Sequence, residues 1–239
     1  AVGSAAIKVA VLDVLEEDNL YPSVGELPVA MPFFIPDHRI MVHIPAVEGL
    51  LGDKLTAFAP TTVGLPYDPA SPVDIIKQLF DIGQLFDAML DLPAVCGAYA
   101  RVFTAENSYR QNKHAPDKAL GDTYQTALAL TSAELTKKTV TTNAPLLVAG
   151  VKNITPLLVQ TKFGLPEAKA AAGKAALLSR IILHDRRDLN LRDLRFDPVK
   201  NASLKTAIIQ RPLEYLTKLR GTNDEAFHYW LKIQTLFGA

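Results

Sequence analysis

Lys54 lies in the run Leu51-Gly52-Asp53-Lys54-Leu55-Thr56-Ala57-Phe58, and Asp81 in the run Lys77-Gln78-Leu79-Phe80-Asp81-Ile82. A lysine at the border of an apolar face is held by its stem while its ammonium reaches outward as a point charge, which suits a phosphate group. Asp81 stands between Phe80 and Ile82, so its carboxylate is expected to be incompletely solvated. Spacing alone favours plainer roles. Lys54 then snorkels at the surface, and Lys77 and Asp81, four apart on a helix, pair for about 0.2–0.5 kcal/mol. Asp13 shares one face with Val9 and Val11 in the alternating run Ile7 to Leu15. His38 and His43 are five apart on an extended stretch, which puts them on opposite faces and argues against a shared metal. The sequence contains no Walker-type phosphate loop, no dinucleotide glycine fingerprint, no nucleophile elbow and no paired-histidine helix motif.

The elements that must position these residues can be read from periodicity and punctuation. Ile7 to Leu15 reads as a strand, and Arg39 to Ile44 as a second, short one, with an extended stretch between them broken by Pro22, Gly25, Pro28, Pro32 and Pro36. Pro45 suits the first position of a helix whose apolar face is Val47, Leu50, Leu51, Leu55 and Phe58. After a proline-bearing loop, Ser71-Pro72 opens the next helix, with Ile75, Ile76, Leu79, Phe80, Gly83 and Phe86 on its inner face. Further helices are expected near Ala94 to Gln111, Pro116 to Lys138, Ala168 to Arg187, Pro212 to Leu219 and Asp224 to Phe237, the last capped by Asn223 and Gly238. Ten of the 16 prolines precede position 100, so the chain changes character there. The expected fold is α+β, with residues 1–92 holding a short mixed sheet with helices and residues 93–239 forming a helical domain.

Composition narrows the classes. The chain has 239 residues, 49% hydrophobic and 21% charged, which is enough for a packed core without staples. Lys plus Arg equals Asp plus Glu at 25 each, so bulk charge predicts neither a nucleic-acid coat nor a membrane-surface protein. Cys96 is the single cysteine, which excludes an internal disulfide and fits a reducing compartment. No run of eighteen apolar residues occurs and Ala1 to Ala10 has no signal-peptide pattern, so the expectation is a cytoplasmic protein that engages no membrane.

In order, these segments give a strand, a helix bearing Glu48, Lys54-Leu55-x-Ala57, a proline-bearing loop, and a helix with Lys77 four before Asp81. The pattern resembles the AbiEii/AbiGii toxin family of minimal nucleotidyltransferases over about residues 1–90. The family carries Arg-Asp where this chain has Lys77-Gln78. The resemblance implies a palm-like domain that transfers a nucleotide from a nucleoside triphosphate to an acceptor, a transfer RNA or a protein, with Mg²⁺. It also implies a toxin of a toxin–antitoxin or phage-defence pair, with an antitoxin as partner. Hard carboxylate ligands suit that ion, which neutralises charge on the transferring phosphoryl. By resemblance, Asp13 is a catalytic carboxylate and metal ligand, Lys54 clamps the triphosphate, and Asp81 orients Lys54 or acts near the acceptor. Gly3 and Ser4, in Val2-Gly3-Ser4-Ala5-Ala6, resemble the family's phosphate-binding Gly-Ser turn. The family's Asp-x-Asp pair is not in this sequence, and Ile7 follows Ala6 directly where the family has a longer segment. The resemblance therefore implies a segment missing between Ala6 and Ile7; the other reading makes Ala1 to Ala6 the scar of a tag.

Two rivals stay open: an inactive relative that binds RNA or an antitoxin, and a structural helical interaction protein whose Lys54 and Asp81 are surface residues. The stretch His184 to Asp197 interleaves Arg186, Arg187, Arg192 and Arg195 with Asp185, Asp188, Asp193 and Asp197. Its arginines could meet RNA phosphates, but balanced signs favour a solvated ion-pair face.

Overall fold

The computed structural model describes residues 19–30, 36–136, 142–159, 161–199 and 204–238. The fold is α+β and mostly helical. Strands β1 (Val24–Pro28) and β2 (Met41–Pro45) form a two-stranded antiparallel sheet, with Glu26 opposite His43 and Leu27 opposite Val42. Prolines end both strands, where a missing N–H costs no ladder bond. The strand expected over Ile7 to Leu15 lies outside the described residues. β1 sits inside the stretch read from sequence only as extended, and β2 begins two residues later than expected. His38 and His43 do not meet as a pair; His43 faces Glu26 at 3.5 Å.

Helices follow as α1 (Val47–Ala57), α2 (Val73–Ala88), α3 (Leu92–Tyr109), α4 (Pro116–Ser132), α5 (Ala144–Ile154), α6 (Leu165–Leu183), the single turn α7 (Leu191–Leu194) and α8 (Asp224–Phe237). Pro45 closes β2 rather than opening α1, because Ala46 in between stays extended. The segment expected to be helical over Pro212 to Leu219 is a 3₁₀ turn over Glu214–Leu219. α4 ends at Ser132, earlier than periodicity suggested, because Glu134 takes a positive φ of 66°. α5 was not expected at all. α8 begins after Asn223, whose side chain accepts from the Ala226 N–H, and ends at Gly238, φ 81°, as its flanking residues predict.

One apolar cluster runs from Leu51 to Ile233, and α1 and α2 share it with α3, α5 and α6 across the division expected near residue 92. α6 is its axis. Its side chains are buried from Ala168 through Ser179, and the alanine-rich segment lets neighbours come close. A Cβ added at Gly173 would lie 2.9 Å from the Tyr229 Cβ on α8, and one at Gly83 of α2 would lie 3.0 Å from the Ala171 Cβ. Charge is stationed there too. Lys174, 5% exposed, bonds Asp87 of α2 at 2.7 Å and Glu225 of α8 at 2.9 Å, with its ammonium over the Phe86 and Tyr229 rings. Pairing of this kind offsets the cost of burying an ammonium. Among the described residues, no helix is long and apolar enough to cross a membrane.

A close helix crossing holds the helix that carries Lys54. A Cβ at Gly52 would sit 2.5 Å from the Tyr99 backbone nitrogen and 2.8 Å from the Ala98 Cβ, so α1 rests directly on the α3 backbone. Gly52→Ala is expected to lower the unfolding free energy by about 1–3 kcal/mol through overpacking, despite alanine's better helix propensity. Urea unfolding checks this, and an unchanged midpoint would contradict so close a crossing.

Candidate functional site

α1 and α2 run side by side, joined by the loop from Phe58 to Pro72, and Lys54 and Asp81 meet across their seam. The Lys54 Nζ lies 3.0 Å from the Asp81 Oδ2, with 26% and 38% of the two side chains exposed. Each charge is thus packed on one side and open to solvent on the other. The surface pairing of Lys77 with Asp81 does not form. Lys77 bonds Asp74 at 2.9 Å instead, and Asp74 also accepts from the Ser71 hydroxyl at the start of α2. These two bonds hold the Asp74 carboxyl below its usual range. Asp81 is left to Lys54.

Beside Lys54 on α1, Asp53 accepts a hydrogen bond from the Tyr21 hydroxyl at 3.0 Å. The Tyr21 ring packs over Gly49, one turn back along α1, where a Cβ would lie 3.1 Å from the ring. Burial raises the Asp53 carboxyl above its usual value, with Glu106 of α3 adding to the rise while the Tyr21 bond and Lys54 oppose it. Burial, helped by Asp53, pushes the Tyr21 phenol up to about 12. No local signal in the sequence could have found this pair, because its two members belong to different elements. Glu48, the other acid on α1, faces away from Lys54's partner. Its carboxylate accepts from the backbone N–H of Leu90 at 2.7 Å and of Asp91 at 3.3 Å, tying the first turn of α1 to the α2–α3 turn.

The remaining expected residues, Gly3, Ser4 and Asp13, lie outside the described residues. Among the described residues, no group of three or more His, Cys, Asp or Glu side chains is arranged to hold a metal ion. Asp81 is engaged by Lys54 and Asp53 by Tyr21. These side chains do not fit a Mg²⁺ site, which needs several oxygen ligands converging.

Comparison with models of known protein families, with curated proteins and with solved structures finds no match to this chain. The arginine-rich stretch resolves in part as the ion-pair face that balanced charge suggests. Arg186 pairs with Asp188 at 2.8 Å and Arg187 with Asp185 at 2.6 Å, while Arg195 donates to the Met89 carbonyl. Sequence reading also missed Arg180 and Asp122. Asp122, on α4, accepts from the Thr61 N–H at 2.7 Å and the Thr62 hydroxyl at 2.9 Å, which fixes the loop after α1.

The Asp53 shift has a testable sign. Its folded pKa is raised, so the protonated form is favoured in the fold; the stability this gives is full below the unfolded value of 3.8 and is lost as pH rises through the folded value. Asp53→Asn keeps an acceptor for Tyr21 and removes the titration. Relative to that variant, the wild-type chain is expected to lose stability between about pH 3 and pH 7, read by urea unfolding at both values. A constant difference would contradict the burial of a titrating carboxyl.

Proposed function

We propose that this chain is a nucleotidyltransferase of the AbiEii/AbiGii type, in which Lys54 contacts the phosphates of a nucleoside triphosphate and Asp81 holds the Lys54 ammonium in place. The observation that carries this reading is the 3.0 Å contact between Lys54 and Asp81, two residues on separate helices that the resemblance had singled out together. The partial exposure of both supports it as well, since the ammonium keeps a solvent-facing side on which a phosphate can bind.

The chemistry asked of these side chains is positioning and charge. Transfer of a nucleotidyl group leaves little covalent work for the protein and depends on neutralising phosphate charge in the right geometry. An ammonium held by a carboxylate on one side presents its remaining N–H donors to phosphate oxygens on the other. On this reading the palm would be completed by the Ile7 to Leu15 segment with Asp13, and the acceptor would be RNA or a protein. Mg²⁺, the antitoxin and the toxin role remain parts of the proposal that rest on the resemblance alone.

The pair can be tested without losing the fold. An ion pair this exposed contributes only about 0.2–1 kcal/mol to stability. Lys54→Ala is expected to weaken nucleoside triphosphate binding about 10–100-fold, the worth of one charge-assisted hydrogen bond of about 1.5–3 kcal/mol, with an unchanged circular dichroism spectrum. Asp81→Asn leaves the ammonium charged but no longer aimed. It should keep binding and lower transfer of a labelled nucleotide by about a hundredfold. Wild-type affinity in a folded Lys54→Ala chain, or no triphosphate binding by the wild-type chain, would overturn the proposal.

A further inference from the structure

We propose that the outward face of α4 carries a second ligand site, one for a nucleotide phosphate, with Arg180 of α6 as its anion anchor. The guanidinium of Arg180 is half-buried between two rings, 5.7 Å from the Tyr124 centroid and 5.8 Å from that of Phe237. These contacts fix the planar group in position. Among the described residues it has no carboxylate partner and no hydrogen-bond acceptor. Lys54, Lys174 and Arg110 differ in that each bonds a carboxylate, and Lys169 in that it bonds the Ala133 carbonyl. A guanidinium has five N–H donors in a fork that matches phosphate oxygens two at a time. A fold that clamps this group between rings and leaves its donors empty has the form of an anion receptor.

A cavity of about 350 Å³ opens at Arg180, with Lys118 on its rim and Tyr124 in its wall. It shares Lys118, Gly121 and Gln125 with a second hollow of about 430 Å³ that reaches Thr61, Tyr67 and Thr126. The two meet over Gly121. A Cβ there would meet nothing within 4 Å, so this glycine is not required by packing and does not serve α4, since glycine is a poor helix former. It leaves the passage between the hollows open. The carboxylates on the groove are Asp117, exposed in the first turn of α4, and Asp122, already satisfied by Thr61 and Thr62. The arrangement suits a phosphate on Arg180 and Lys118, with the attached sugar and base lying over Gly121 toward uncharged hydroxyl groups. Neither Lys54 nor Asp81 lines either hollow, so this site does not rest on the reading given to that pair.

The test is binding by the full chain of two probes at low salt: AMP, followed by calorimetry, and a short fluorescent single-stranded RNA, followed by anisotropy. Gly121→Leu fills the passage from a position with free space and improves the helix, and Arg180→Gln removes the fork. Arg180→Gln is expected to weaken binding at least about tenfold, the loss of one charge-assisted contact, and Gly121→Leu to weaken it as much by occupying the passage, while Arg101→Gln, an exposed cation of α3 outside both hollows, leaves it unchanged. Binding of AMP assigns the site to a free nucleotide, and binding of RNA alone assigns it to a nucleotide within a strand; either sustains the proposal. It is overturned if neither probe binds the wild-type chain, if either Gly121→Leu or Arg180→Gln binds as wild type does, or if Arg101→Gln weakens binding as much as Arg180→Gln.

Discussion

How near its neighbours can come to α6 governs the rest of the molecule. Close approach of helices requires small side chains at the crossing points, and the interior then has no slack to reposition what lies beyond them. α6 meets this with alanines and Gly173, so α2 lies on it at Gly83 and α8 at Tyr229. Two turns of consequence follow from that one packing. Asp81 lies half a turn from Gly83 on α2, so the Gly83–Ala171 contact orients the carboxylate toward α1. At the other end of α6, Arg180 emerges between Tyr124 of α4 and Phe237 of α8. Gly52 does for α1 and α3 what the alanines do for α6, and it is two residues from Lys54.

Two arrangements of charge on this frame differ in what they leave open. Lys174 is sealed in, and two carboxylates and two rings surround it, offsetting the cost of a buried charge. Where a cation keeps an open side, as Lys54 and Arg180 do, it is held by one carboxylate or by rings alone, and its other donors face outward. The first arrangement serves stability. The second leaves electrostatic capacity for an anion, which is what both proposed sites draw on.

What was legible in the sequence was what is local. The limits of α8 follow from Asn223 and Gly238, and the inner face of α2 from spacing, because caps and periodicity act within a few residues. α5 was not legible. Proline and glycine disfavour helices in general, yet Pro145 sits in the first turn of α5, where its missing N–H is harmless, and Gly150 admits the Pro72 and Ile76 region of α2. The choice between Lys77 and Lys54 as the partner of Asp81 was likewise out of reach of spacing. The local i, i+4 pair loses because Asp74 captures Lys77, and the winning pair depends on how α1 and α2 pack. Tyr21 with Asp53, and Arg180 with its two rings, are contacts between elements distant in sequence, which residue types alone do not reveal.

In the proposed function, Lys54 stands beside the phosphates of a bound nucleoside triphosphate. An acyl phosphate of ATP tests it directly, because the reagent passes its acyl group to a lysine amine held next to the bound phosphate chain. Peptide mass spectrometry after brief exposure is expected to find Lys54 acylated, with the label suppressed by excess unmodified ATP. A Lys54 left unlabelled while other lysines react, or labelled equally with excess ATP present, would contradict this placement of the ammonium.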